Sequence, residues 1–124
     1  MRKILFTLAL MAAAATASAQ DWPYYLGPTA DLHSPQKNLL REWPAEGPEV
    51  VWETKVGIGY GGPVVQDGKV YLLDRDAEKE VETMRCMELA TGKEVWSYSY
   101  PSTGAVMFPG SRSVPTIDGK YVYS

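Results

Sequence analysis

Side chains suited to acid–base, nucleophilic or metal chemistry are few in this 124-residue sequence. His33 is the only histidine, which excludes a metal site built from several histidines of this chain. Asp31, His33 and Ser34 supply the residue types of a catalytic triad. Triads, however, assemble from distant parts of a chain, and local clusters of this kind are common by chance. The sequence therefore predicts no catalytic residue.

Acidic residues and glycines give equally weak signals. Asp74 and Asp76 offer calcium ligands, but the glycine and distal glutamate of an EF-hand loop do not follow them, so a solvated hairpin end is favoured. Residues 57–62 hold four glycines without a βαβ pattern, which argues against phosphate binding. We expect these glycines to form a loop that enters an inner strand. No metal site is predicted.

The single cysteine, Cys86, lies in a strand-like run. We interpret it as a small buried hydrophobe, with a reactive thiol as the alternative. One cysteine cannot form an intrachain disulfide, so the stability of the fold must come from packing.

The N-terminus predicts export. A basic start is followed by the apolar run 4–15 and by the small residues Ala17-Ser18-Ala19, which is typical of a cleaved signal peptide over residues 1–19. The apolar run is shorter than the roughly 20 residues that span a bilayer. We expect a periplasmic or extracellular chain without a transmembrane span after cleavage. An uncleaved anchor is the alternative.

The charge of the mature chain argues against nucleic acid as a partner. Cleavage removes Arg2 and Lys3 from the 12 basic residues, so 10 remain against 15 acidic residues, a net charge of −5. Binding to a phosphate backbone relies on clustered lysine and arginine, and no basic stripe with interleaved aromatic residues is present.

Residues 20–48 form a Pro/Gly-rich lead-in, whose five prolines exclude a long helix or a central strand. Its aromatic and leucine residues lead us to expect an irregular segment packed on a larger body. Residues 35–42 are compatible with one or two helical turns, with Ser34 as the cap.

From residue 49 onward, short strand-like runs alternate with tight corners. Residues 50–56 are rich in β-branched and aromatic side chains. Asp67-Gly68 between two apolar runs predicts a hairpin. For residues 77–84 we prefer a solvated hairpin tip over a helix, since the flanking strands leave only a connector's length. Thr91-Gly92-Lys93 is a third corner, where Gly92 permits a close turn and leaves room for a flat group.

The pattern then repeats. Residues 63–71 (PVVQDGKVY) return as residues 115–123 (PTIDGKYVY), and Trp52 and Trp96 lie 44 residues apart. A β-rich unit of this length with a hairpin and a tryptophan at fixed places predicts blades of a β-propeller. The predicted fold class is all-β, with one full four-stranded antiparallel blade and part of the next in residues 49–124.

Residues 90–96 (ATGKEVW) and 63–71 resemble the PQQ-like (pyrroloquinoline-quinone-type) β-propeller repeat, and residues 21–28 resemble the start of exported bacterial members. The resemblance covers nearly all of residues 21–124. It implies that Trp52 and Trp96 are structural docking residues, which pack against turns such as the one at Gly92 and lock neighbouring blades together. It marks the fold and not the activity, since catalytic and non-catalytic members share these motifs.

Propellers close with about four to eight blades, so we expect this chain to be an N-terminal fragment of a longer protein. In that protein we expect residues 50–56 to pair with the last blade. Loops that enter the inner strands rim the central channel, and Tyr60 and Arg112 occupy equivalent loops of the two repeats. Arginine binds carboxylates well. These two residues are the candidates for contact with a ligand or partner; for Arg112, pairing with an acid of a neighbouring blade is the alternative.

The predicted function is that of a non-catalytic exported propeller, a binding or assembly platform for a protein or small molecule at the channel rim, with no cofactor in this chain. The alternative is the N-terminal part of a PQQ-dependent quinoprotein dehydrogenase, whose PQQ and calcium would bind in other blades. The vicinal cysteine pair of some such dehydrogenases is absent from this sequence. A third interpretation is a carbohydrate-associated protein with aromatic stacking platforms at Trp22, Tyr24, Tyr25 and Tyr60.

Overall fold

The computed structural model describes residues 21–104 and 107–124. The signal peptide predicted over residues 1–19 lies outside the described residues. Within them the protein is all-β and contains no helix. A four-stranded antiparallel sheet has the order β1-β2-β3-β4, and a two-stranded sheet pairs β5 with β6. The six strands are β1 (Val64–Gln66), β2 (Lys69–Asp76), β3 (Val81–Glu88), β4 (Glu94–Pro101), β5 (Thr116–Asp118) and β6 (Tyr121–Tyr123).

The tight turns form where the sequence places residues that tolerate positive φ. Asp67 (φ 50°) and Gly68 (φ 70°) join β1 to β2, which confirms the predicted hairpin. The β2–β3 connection is a turn and not a helix. There the Asp76 carboxylate accepts hydrogen bonds from the backbone N–H groups of Glu78 and Lys79, each at 3.1 Å. Short polar side chains that bind the following backbone favour such turns.

The register of the large sheet separates its side chains into two faces, because residues directly opposite one another project to the same side. One face carries the row Tyr71, Cys86 and Trp96 and the row Leu73, Met84 and Tyr98, and we call it the aromatic face. The other face, the polar face, carries two rows that end in serines: Leu72, Arg85 and Ser97, and Asp74, Thr83 and Ser99.

The buried core is small, and most of its apolar residues belong to the strands of the large sheet. Leu73 and Cys86 are almost completely buried on the aromatic face. Burial raises the pKa of the Cys86 thiol, which agrees with its interpretation as a small hydrophobe. The remaining buried apolar residues are Val64, Val70, Met84, Met87 and Ile117.

An ion-pair ladder crosses the polar face. The guanidinium of Arg85 pairs with the buried carboxylate of Asp74 and, at 3.0 Å, with Glu94. The hydrogen bond that Arg85 donates to Asp74 is the largest of the effects that raise the pKa of Arg85. The Ser97 hydroxyl donates to Glu94 at 2.9 Å, so the ladder runs across three strands. A charge pair in this position needs both members, because removing one leaves the other desolvated.

The lead-in joins the two sheets. Trp22 and Val65 exchange backbone hydrogen bonds of 2.7 and 2.9 Å along the free edge of β1. One residue later, the Pro23 carbonyl accepts the N–H of Ile117 in β5 at 3.1 Å. An unpaired strand edge is a site for non-native pairing, and the lead-in covers this one. The start of the lead-in is therefore packed on the sheets, as expected.

Two other expectations, both about residues 35–43 of the lead-in, are wrong. Residues 35–42 form no helical turn, and Asn38 adopts φ 61°, which interrupts a right-handed helix. Leu39, Leu40 and Trp43 are 58–67% exposed, so this part of the lead-in is not packed. Residues 50–56 form no strand among the described residues; only the following Ile58 bridges to Arg75 of β2.

Candidate ligand-binding cleft

Two loops, one before β1 and one before β5, meet beside strand β2 of the large sheet. Ile58 is tied to β2 by backbone hydrogen bonds of 2.9 and 3.0 Å to Arg75. The Tyr60 N–H donates to the Ser111 carbonyl at 2.7 Å, and the Ser111 N–H donates to the Ile58 carbonyl at 3.2 Å. We call the loops the 57–62 loop and the 109–114 loop. These bonds fix them to each other although about 50 residues separate them in the sequence.

Glycines let the two loops approach at backbone distance. A β-carbon at Gly110 would lie 3.0 Å from the Gly59 nitrogen. One at Gly61 would lie 2.9 Å from the Ser113 carbonyl carbon and 3.4 Å from the nitrogen of Val114. Real β-carbons do not approach backbone atoms this closely, so each position requires glycine. The glycine-rich run is thus a loop, as predicted, and it leads into β1. Its glycines allow close contact with the 109–114 loop.

The paired loops form one wall of an open cleft of about 650 Å³. Tyr60 and Arg112, which the sequence placed in equivalent loops, both line this cleft. Tyr25 of the lead-in also lines the cleft, whereas the sequence suggested for it only a general role as an aromatic platform. The other lining residues are Gly61, Gly62, Ser113, Val114, Thr116, Tyr123 and Ser124.

Among the described residues that line the cleft, Arg112 is the only one with a charged side chain. Its side chain is exposed, and it forms no ion pair with any residue of the described ranges. The alternative prediction, a pair between Arg112 and an acid of a neighbouring blade, is therefore not satisfied within residues 21–104 and 107–124. An exposed guanidinium that forms no ion pair can donate two parallel N–H hydrogen bonds to the carboxylate of a ligand.

Three exposed tyrosines line the same cleft as Arg112. Tyr25, Tyr60 and Tyr123 are 64%, 58% and 54% exposed, so each presents much of its ring to solvent. Tyr60 is held by an edge-to-face contact with Phe108, whose ring centroid lies 5.9 Å away. Tyr25 is carried by a turn in which the Gly27 N–H donates to the Tyr24 carbonyl at 2.9 Å.

A polar network behind the 109–114 loop holds it in place. Ser111 is completely buried, and its hydroxyl donates to the Glu82 carboxylate at 3.1 Å. The other oxygen of Glu82 accepts from the Tyr100 hydroxyl at 2.9 Å. Burial is the main effect that raises the pKa of Tyr100, and the Glu82 carboxylate raises it further. Sequence reasoning missed this network, because no short-range pattern links residues 82, 100 and 111.

The Trp52 indole packs on the Gly92 corner between β3 and β4. A β-carbon at Gly92 (φ 68°) would lie 2.7 Å from the Trp52 ring carbon Cδ2, so the indole covers this corner. The indole Nε1–H donates to the Leu89 carbonyl at 2.7 Å. Trp96 is different: it is 40% exposed and makes a tilted contact with Tyr71, with centroids 6.1 Å apart. It lines a second cleft, between β4 and the β5–β6 hairpin, together with Tyr98 and Tyr121.

The remaining chemical candidates are not brought together. His33 is exposed and contacts only its sequence neighbour Asp31 at 3.2 Å, which is a local loop contact. A hydrogen bond from Thr29 lowers the pKa of Asp31 most, and the His33 backbone lowers it further. Among the described residues, no group of three histidine, cysteine, aspartate or glutamate side chains is arranged to hold a metal. Those residues also include no helix long and apolar enough to cross a membrane.

The chain was compared with protein families, with curated proteins and with solved structures, and none of the three comparisons gives a match.

Proposed function

We propose that this chain belongs to an exported, non-catalytic β-propeller of the PQQ-like repeat type, which acts as a binding platform. The four-stranded antiparallel sheet has the strand order expected of one blade, and the β5–β6 hairpin repeats the Asp-Gly-Lys sequence near its turn, as the start of a second blade would. Trp52 on the Gly92 corner supports the same architecture, because this packing is what the repeat resemblance implies.

The observation that carries the binding function is the cleft between the two repeats. Tyr60 and Arg112 come from equivalent loops, and backbone hydrogen bonds through Ser111 bring them to one wall. Binding sites are concave and combine aromatic surface with a few polar groups that orient the ligand. The cleft has these properties, and its one charged side chain, that of Arg112, is a cation. The expected ligand therefore carries a carboxylate.

A panel of three carboxylate probes tests this proposal on the full chain by isothermal titration calorimetry. The probes are a glutamate-rich hexapeptide, a uronic acid trisaccharide and PQQ with calcium. Gly61→Ala and Gly62→Ala form a matched pair, because a β-carbon at Gly61 meets the Ser113 backbone whereas one at Gly62 meets nothing within 4 Å. We expect at least one probe to bind, and Gly61→Ala to weaken that binding at least tenfold while Gly62→Ala leaves it unchanged.

Two results would count against the platform. If no probe binds, the cleft has no carboxylate ligand of these classes and the proposal fails. If a probe binds equally well to Gly61→Ala, its site lies elsewhere on the chain. Calcium-dependent binding of PQQ that is lost in Arg112→Gln would instead favour the quinoprotein alternative.

A further inference from the structure

We infer that the cleft lined by Tyr60 and Arg112 binds an acidic oligosaccharide, a glycan that carries uronic acid residues. This inference rests on the proposed binding function and names the ligand class of the same site. Three properties of the cleft favour this class over an acidic peptide: its single cation, its exposed tyrosines and its hydroxyl groups.

The charge of the lining fits a ligand with one acidic group at this point. Within the part of the chain that the structure describes, Arg112 is the only lining residue with a charged side chain, and no lysine, aspartate or glutamate lines the cleft. Recognition of acidic peptide motifs uses clusters of arginine, which are absent from this lining. One guanidinium can bind one carboxylate through two parallel hydrogen bonds. A uronic acid unit presents one such carboxylate on each sugar ring.

The aromatic lining fits the sugar ring itself. Tyr25, Tyr60 and Tyr123 stand around the cleft with more than half of each side chain exposed. A pyranose ring has an apolar face of C–H groups that packs on an aromatic ring. Tyrosine supplies this surface at low cost in side-chain entropy and adds a hydroxyl for hydrogen bonding. Rings from three separate segments therefore offer stacking surface in the cleft that Arg112 also lines.

The size and the polar groups of the cleft fit a short glycan. Its volume of about 650 Å³ lies within the range of small-molecule sites and accommodates roughly two or three sugar rings. Ser113, Thr116 and Ser124 add hydroxyls to the lining. Each hydroxyl both donates and accepts, which suits the hydroxyl groups of a sugar. The carboxylate of the ligand, bound by Arg112, sets the position of the ligand. The stacking and hydroxyl contacts increase the area that the ligand buries.

The test compares a trisaccharide of galacturonic acid with its carboxyl-reduced, neutral counterpart by calorimetry on the full chain. We expect the neutral sugar to bind at least tenfold more weakly, because hydrogen bonds to a charged group are lost. Arg112→Gln is expected to weaken binding of the acidic sugar to the level of the neutral one. Arg41→Gln, the same change at an exposed arginine outside the cleft, is expected to leave binding unchanged.

A second pair of variants tests the stacking contact. Tyr60→Phe keeps the ring and is expected to retain binding within about threefold, whereas Tyr60→Ala is expected to lose at least tenfold. Circular dichroism of every variant checks that the fold is kept; if Tyr60→Ala does not fold, chemical-shift changes of the Tyr60 ring in the wild-type titration provide the readout.

Three outcomes overturn the inference. The first is equal affinity for the acidic and the neutral sugar, and the second is unchanged binding of the acidic sugar by Arg112→Gln. The third is binding of the glutamate-rich peptide, lost in Arg112→Gln, without binding of the acidic sugar; in that case the binding platform stands and only the ligand class is wrong. If no carboxylate probe binds, the proposed function fails as well.

Discussion

The packing of Trp52 on the corner between β3 and β4 gives the sharpest prediction of stability. Gly92 and Gly68 have nearly the same backbone conformation, with φ 68° and 70°. An added β-carbon at Gly68 would meet nothing within 4 Å, whereas at Gly92 it would lie 2.7 and 3.0 Å from ring atoms of Trp52. The variants Gly92→Ala and Gly68→Ala therefore share the backbone strain and differ in the clash with the indole.

The magnitude follows from what the indole loses when it moves. The strain of an alanine at positive φ costs about 1–2 kcal/mol in both variants. In Gly92→Ala, the Trp52–Leu89 hydrogen bond of 2.7 Å is also lost, a cost of about 1 kcal/mol. About 100 Å² of indole surface returns to water, which at about 25 cal/mol per Å² costs roughly 2.5 kcal/mol. Partial relaxation reduces this, so we expect Gly92→Ala to be about 2–3 kcal/mol less stable than Gly68→Ala.

Urea unfolding of the full chain, followed by far-UV circular dichroism, measures this difference. A double-mutant cycle with Trp52→Ala supplies the control, because without the indole Gly92→Ala should cost no more than Gly68→Ala. The packing argument is refuted if the two glycine variants are equally stable in the wild-type background. It is also refuted if the extra cost at Gly92 persists when Trp52 is alanine.

Three further predictions concern the lead-in, the polar face and the buried thiol. Gly27→Ala is expected to destabilise the chain more than Gly47→Ala in urea unfolding. Both residues have positive φ, but only a β-carbon at Gly27 would meet the Trp22 ring, at 2.6 Å. Equal destabilisation by the two variants would contradict the packing of Trp22 on this turn of the lead-in. Asp74→Ala is expected to cost about 2–3 kcal/mol, since it leaves the half-buried Arg85 without its main partner, whereas Asp76→Ala at an exposed turn should have a smaller effect in the same assay. Burial raises the folded-state pKa of the Cys86 thiol, so the folded chain keeps a proton that the unfolded chain loses. Stability should therefore fall as pH rises above about 8.5, the ordinary thiol pKa. If the urea midpoint of Cys86→Ala changes with pH as much as that of the wild type, this assignment is contradicted.

The sequence determined the strands and turns of this protein. Asp67, Gly68, Gly92 and Gly119 adopt the positive φ that glycine, and to a lesser extent aspartate, tolerates, so local chemistry marks where the chain reverses. The predicted all-β class and the four-strand antiparallel order follow from those reversals. The same local reasoning predicted that Tyr60 and Arg112 belong to equivalent loops of a repeat.

Tertiary structure decided what these loops contact. The cleft exists because Ser111 bonds to the 57–62 loop on one side and to Glu82 on the other, and no sequence spacing encodes contacts between segments so far apart. Packing also decided the conformation of residues 35–42. Their local propensity is compatible with a helical turn, yet they form none, because an isolated helical turn is unstable without packing. Local propensity sets the conformation of a turn, whereas the position of a binding site depends on long-range contacts.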